Sequence, residues 1–169
     1  MGKAPDLYLA TRRIPGGRLT YLVRDGVVIG SSFRGREDVL DRVDHAGEMP
    51  TARARSSSDD LVGQALEAYA DGDLTAIDAV EVDQPGGPFQ QLTWRAMRLI
   101  AAGTVETYGQ LAGRAGRPRA YRAAGTACSS NLVAPFVPCH RVVASHGPGG
   151  YGYGLDVKFA LLRHEGVDI

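Results

Sequence analysis

The chain has little cysteine, no long apolar run and no net charge. Two cysteines in 169 residues are too few for a disulfide scaffold, so a reducing compartment, the cytoplasm, is the expected location. The apolar runs fall far short of the roughly 20 residues that a membrane-spanning helix needs. No basic segment followed by a long apolar one is visible near Met1, so no secretory signal is read. The run Gly147-Pro148-Gly149-Gly150-Tyr151-Gly152-Tyr153-Gly154 lacks the Gly-Lys-Ser/Thr ending of a phosphate loop. There is no internal repeat and no long low-complexity segment. What remains is an ordinary globular composition, 44% hydrophobic, with chain enough for one large or two small domains.

The zero net charge hides an asymmetry. Residues 1–85 carry 10 Lys+Arg against 15 Asp+Glu, a net of −5, and residues 86–169 carry 9 against 4, a net of +5. Between Gly109 and Arg141 stand five arginines (Arg114, Arg117, Arg119, Arg122 and Arg141) and no acid. A locally basic surface suits a polyanion such as nucleic acid; a solvated helix face gives the same pattern.

The expected architecture is α+β: a small N-terminal antiparallel sheet with helices over residues 1–85, then a mainly helical unit over 86–169. Leu7–Arg13, Arg18–Arg24 and Val27–Phe33 read as a β-meander turned by Pro15-Gly16-Gly17 and by the hairpin signal Asp25-Gly26. Arg36–His45 reads as a short helix and Gly47–Ser58 as a loop. A helix opens at Asp59-Asp60 and runs to Ala70, and Ile77–Val82 reads as extended. Gln84-Pro85-Gly86-Gly87-Pro88 is the linker. Beyond it, Phe89–Ala102 has helical spacing up to Gly103. Thr107 caps a helix from Tyr108 to about Ala115, and Arg119–Ser129 is a second, alanine-rich helix. Two short helices around Gly116-Arg117-Pro118 have the shape of a helix-turn-helix. The second helix has few side chains long enough to read bases. Its small residues let a backbone lie close to DNA, with Arg122 as the one long probe. A short strand from Cys139 to Val143 and a last amphipathic helix, Asp156–Glu165, complete the chain.

The chemistry concentrates in Val137-Pro138-Cys139-His140-Arg141-Val142-Val143. A thiol is a strong nucleophile only as thiolate, and its ordinary pKa is about 8.5. A neighbouring His or Arg lowers that value or removes the proton during attack. Pro138 fixes its own φ and favours an extended Val137, so the thiol is held in a defined pose.

These residues, with Phe89-Gln90-Gln91, Trp94, Thr107-Tyr108-Gly109, Arg122-Ala123-Ala124-Gly125, Asn131, Gly150-Tyr151 and Lys158 through Leu161-Leu162 to Glu165, resemble the O6-alkylguanine-DNA alkyltransferases, also known as methylated-DNA–protein-cysteine methyltransferases. The resemblance is dense from Phe89 to Glu165 and weaker over the meander. It implies that Cys139 is the alkyl acceptor, that His140 takes its proton through a water, and that Glu165 orients His140. Asn131 would hold the turn before the acceptor segment. Arg122 would enter the base stack as the damaged base flips out, and Tyr108 would crowd the target phosphate and donate a proton to the departing purine. Tyr121, Ala123, Gly125, Thr126 and Ser145 would face DNA. Tyr151, Val142, Gly152 and Tyr153 would line the pocket for alkyl group and base.

Duplex DNA carrying O6-alkylguanine is thus the expected partner, with O4-alkylthymine a second substrate, for a monomer without a cofactor that is consumed in one turnover. Zinc-carrying family members ligate the metal through N-terminal Cys and His. Residues 1–85 have no Cys, so no metal is expected. Cys128 reads as a small packed side chain, and His45, His146 and His164 as surface residues. Leu132 stands where the family usually has proline, which predicts a less rigid turn after Asn131. The alternatives are a lesion-binding relative that lacks the acceptor, a transcriptional sensor with a second acceptor, and a cysteine hydrolase. Cys139 argues against the first, and the Cys-free N-terminal half against the second. A hydrolase would turn over repeatedly.

Overall fold

The computed structural model describes residues 5–45 and 59–169; the loop expected over 47–58 lies outside them. Three antiparallel strands, β1 (Leu7–Ile14), β2 (Gly17–Arg24) and β3 (Val27–Ser32), form a sheet in sequence order. Asp25 and Gly26 both have positive φ (50° and 81°), the backbone of the tight hairpin that their sequence predicts. Side-chain alternation sends the two faces of the sheet to different places. Leu19, Tyr21 and Val23 enter the main core, while Leu22 and Ile29 pack with Val39 and Val43 of helix α1 (Arg36–His45).

Helix α2 (Leu61–Ala70) is capped by Asp60, whose carboxylate accepts from the Gly63 amide at 2.9 Å. The same buried carboxylate accepts from the Tyr8 hydroxyl at 2.7 Å and from the Tyr21 hydroxyl. One side chain thus caps the helix and ties it to the sheet. Residues 77–80, expected to be extended, form successive turns closed by Asp78 N–Thr75 O and Val80 N–Ile77 O bonds. Arg98 takes the outward carbonyls of Asp78 and Val80 at 2.6 and 2.8 Å, so a strand partner is not needed. Only Val82 bridges the sheet, beside Val28.

Helix α3 (Pro88–Met97) starts with proline in its first turn and the Gln90 side chain on the Gly87 amide. It stops at Met97, short of the expected Ala102. The Leu99 and Ile100 amides bond three residues back instead of four. That tightening buries Ile100 and leaves Leu99 in solvent.

Strand β4 (Glu106–Thr107) leads directly into α4 (Tyr108–Arg114). Thr107 and Gln110 cap each other reciprocally there, at 3.1 and 2.8 Å. A turn through Gly116 (φ 93°) delivers α5 (Tyr121–Ser129) against α4, completing the helix-turn-helix. Ala124 and Ala127 are fully buried, and the Trp94 indole donates to the Ala127 carbonyl at 2.8 Å, which locks α3 to α5. The strand expected from Cys139 is a single turn of 3-10 helix, Cys139–Arg141, held by the Arg141 amide on the Pro138 carbonyl at 3.0 Å. Only β5 (Val142–Val143) is strand, parallel to β4. Helix α6 (Leu155–His164) ends before Gly166 (φ 88°).

The main core draws Leu19, Tyr21 and Leu66 from the first half of the chain and Met97, Leu111, Ala124 and Leu161 from the second. Among the described residues, no helix is long and apolar enough to cross a membrane, and no group of three His, Cys, Asp or Glu could hold a metal ion.

Candidate active site

Cys139 lies on the wall of a cavity of about 310 Å3, at the small end of the roughly 300–1,000 Å3 of small-molecule sites. Tyr108 and Cys128 come to it from α4 and α5, Arg34 and Arg42 from the N-terminal half, and Tyr151 and Tyr153 from the glycine-rich loop. Burial pushes the Cys139 thiol up, although a hydrogen bond from Asn131 and the positive charge of Lys158 act in the opposite sense. The positive charge of Arg42 also acts downward, while the neighbouring Arg141 is bonded to Glu165. The resting sulfur is a thiol, and attack requires a base.

His140, the next residue in the chain, can act as a base. One ring nitrogen, Nε2, lies 3.0 Å from both Glu165 oxygens. The other, Nδ1, is buried without a hydrogen-bond partner among the described residues. Burial depresses the His140 pKa below 6.5, against the pull of Glu165, so the ring is neutral at pH 7. A carboxylate on Nε2 fixes the proton there and leaves the Nδ1 lone pair free.

Glu165 sits at the end of α6 with its carboxylate fully enclosed. Burial would raise its pKa, but hydrogen bonds from His140 and Arg141 outweigh that and hold it well below the usual carboxylate range. Arg141 binds it in a fork, Nε to Oε1 and Nη2 to Oε2, both at 2.9 Å, and places Nη1 on the Ile100 carbonyl at 2.7 Å. The Tyr69 hydroxyl of α2 adds a fourth donor at 2.7 Å. With every lone pair occupied, the buried ion pair is compensated.

Lys158 is buried and donates to the carbonyls of Val142 (2.6 Å) and Gly150 (3.0 Å). It thereby joins β5 to the glycine-rich loop. Burial lowers its pKa, against the pull of Cys139 and Cys128.

The predicted site residues divide into groups. Cys139, His140, Glu165 and Asn131 are buried and contiguous. Tyr108, Gly125, Tyr151, Gly152 and Tyr153 line the cavity. Burial raises the Tyr108 pKa, so its hydroxyl keeps its proton. The buried Tyr151 hydroxyl has no hydrogen-bond partner among the described residues. Val142 does not line the cavity: its side chain is core, and its carbonyl carries the Lys158 ammonium. Tyr121, Arg122, Ala123 and Thr126 form an exposed stripe on α5, and Ser145 is exposed after β5.

His164 departs from the surface placement expected of it. It is half-buried, its ring edge-on to Tyr69, with Nε2 2.7 Å from the Tyr69 carbonyl. The side chain of His45 lies outside the described residues. Sequence reasoning missed Arg34, Arg42, Tyr69 and Gln84. Each reaches the site from the N-terminal half, and no local pattern signals such a contact.

A helix-turn-helix stands beside a buried thiol–imidazole–carboxylate series. The chain matches the family model of the 6-O-methylguanine DNA methyltransferase DNA binding domain over residues 88–167. Its fold matches Mycobacterium tuberculosis OGT in complex with DNA, with a TM-score of 0.75, 34% identity, and coverage of 94% of this chain and 92% of that one. The O6-methylguanine-DNA methyltransferase of Pyrococcus kodakaraensis superposes with a TM-score of 0.67 at 25% identity, over 95% and 99% of the two chains. The methylated-DNA–protein-cysteine methyltransferase of Salmonella typhimurium is 47% identical over 102 residues, 60% of this chain and 60% of that protein's length. The chain belongs to the O6-methylguanine-DNA methyltransferase family.

Proposed function

We propose that this protein repairs DNA by taking the alkyl group from O6 of guanine, and from O4 of thymine as a second substrate, onto Cys139, once per molecule. The observation that carries the reading is a buried cysteine on the wall of a cavity of about 310 Å3, next in sequence to an imidazole whose Nδ1 has no hydrogen-bond partner among the described residues.

An O6 substituent lies within the base pair, so the damaged base must leave the stack to reach Sγ. The stripe of Tyr121, Arg122, Ala123 and Thr126 on α5, with Gly125 and the exposed Ser145 after β5, faces the duplex, and Arg122 fills the gap. His140 Nδ1 takes the thiol proton through one bridging water. Sγ attacks the alkyl carbon, the S–C bond forms as the C–O bond breaks, and O6 keeps the electron pair. Tyr108 protonates the departing purine. The proton count closes, because the thiol proton ends on guanine by way of His140, solvent and Tyr108. No cofactor enters, a monomer suffices, and the thioether has no easy reverse step.

Intact mass after incubation with a duplex containing O6-methylguanine tests the reading. A gain of one methyl on Cys139 is expected, with none in Cys139→Ser and a near-normal gain in Cys128→Ser. A serine hydroxyl is far less ionised than a thiol at neutral pH. Repeated turnover, or transfer that survives Cys139→Ser, refutes it.

A further inference from the structure

The peptide that joins α5 to the acceptor segment is gripped from the N-terminal half. Asn131 is buried and all its side-chain hydrogen-bonding groups are used. Its Nδ2 donates to the Val137 carbonyl at 2.8 Å and faces Cys139 Sγ at 3.3 Å. Its Oδ1 accepts from the Val133 amide at 3.2 Å and from Gln84 Nε2 at 3.0 Å. Gln84 is itself buried, and its Oε1 accepts from the Leu132 amide at 2.8 Å. A single amide thus spans the 131–132 junction, donating to the side chain of one residue and accepting from the backbone of the next. Turning that amide over would set oxygen against oxygen and N–H against N–H, so its orientation is fixed by its partners. Gln84 is fixed in turn by Gln91, whose Nε2 donates to the Gln84 carbonyl at 2.7 Å. The contact depends on Leu132 not being proline, because proline has no N–H to give.

We infer that Gln84 is a positioning residue for alkyl transfer: it holds Asn131 so that the Asn131 amide faces the acceptor sulfur. The inference rests on the repair reading only for the substrate. The physical claim is that a thiolate at Cys139 is stabilised by a donor whose placement depends on Gln84. Among the described residues, the other polar and charged groups around that sulfur are Cys128 and Ser129 of α5, Tyr108 of α4, Arg42 of α1, Arg34 before it, Lys158 of α6, and Tyr151 and Tyr153 of the loop. None of them replaces the Asn131 donor.

Two variants separate positioning from packing. Gln84→Met keeps the length and removes both hydrogen bonds, stranding the Leu132 amide. Gln84→Met with Leu132→Pro removes that stranded donor and stiffens the turn. In a Cys128→Ser background, the rate of Cys139 modification by iodoacetamide against pH reports the thiol directly, with or without DNA chemistry. In Gln84→Met the profile should move up by about one pH unit, and single-turnover transfer from an O6-methylguanine duplex should slow about tenfold at neutral pH, the equivalent of one lost unit. The double variant should recover the Tm but neither the profile nor the rate, because Asn131 Oδ1 still lacks its Gln84 donor. A Gln84→Met protein with a lowered Tm but an unmoved iodoacetamide profile and a normal transfer rate refutes the inference, since that is what packing alone predicts. Absence of transfer in the wild type would sink the repair reading, while the iodoacetamide profiles would still decide the role of Gln84.

Discussion

Replacing Glu165 by Gln changes one oxygen for one nitrogen and removes one charge. Glu165 accepts from His140, twice from Arg141 and from Tyr69. The amide introduced by Glu165→Gln would present two N–H groups to a ring of donors, so at least one arm of Arg141 loses its acceptor. Arg141 is 1% exposed, and stranding a buried charge costs about 3–5 kcal/mol. At roughly 2–4 °C per kcal/mol for a chain of this size, Tm should fall by about 6–20 °C. The Arg141 fork thus makes Glu165 a stability residue as well as a partner of His140.

The kinetic effect has a separate origin. An imidazolium that forms as the thiol loses its proton has no carboxylate to stabilise it, so single-turnover transfer should slow by about 10²-fold, within the roughly 10²–10⁴ that a positioned base contributes. His140→Ala should slow transfer at least as much, and the double variant no more than the worse single, because both act on one proton transfer. Rapid-quench measurements well below the variant's Tm keep stability out of the rate. Adding Arg141→Met to Glu165→Gln should restore much of the Tm and none of the rate. A Glu165→Gln rate equal to wild type across pH, or strict additivity with His140→Ala, would remove Glu165 from the mechanism.

Two further outcomes are expected. Arg122→Ala should slow repair of a duplex lesion far more than reaction with free benzylguanine, since only the duplex requires a base to be displaced at a cost of a few kcal/mol; equal losses in single-turnover assays with the two substrates would make Arg122 structural. Stability should fall as pH drops from about 6.5, because unfolded His takes up a proton near 6.5 and unfolded Glu near 4.5, while folded His140 and Glu165 both resist until lower pH. Tm measured from pH 8 to 4 should decline over that window, and less steeply between 6.5 and 5 in His140→Asn; parallel curves would show that His140 does not contribute.

The elements are legible where local chemistry decides them. Asp25-Gly26 turns the hairpin, Asp60 and Thr107 cap their helices, and Gly166 follows the last one. The misreadings share a cause. Apolar spacing alone assigns Ile77–Val82, the end of α3 and the segment from Cys139, but the first two follow hydrogen bonds to residues far away in sequence, Arg98 for Ile77–Val82 and Arg141 for the end of α3. The acceptor segment is legible because Cys139, His140 and Asn131 lie within ten residues and Glu165 closes the motif. Tyr69, Arg42 and Gln84 carry no motif. Each is an ordinary side chain until the fold brings it to Glu165, Tyr153 or Asn131.

Residues 86–169 hold every protein group of the proposed bond-making and bond-breaking, which suggests a portable module. The polar contacts from the other half argue against portability. The Tyr69 hydroxyl would leave Glu165, Arg42 would release the Asn131 carbonyl it holds at 2.8 Å, Ser31 would release the Leu132 carbonyl, bonded to its amide at 2.8 Å, and Gln84 would be lost with them. A shortened chain would keep the reagents and lose the jig that aligns them, so grafting the acceptor onto another scaffold means carrying those four residues along.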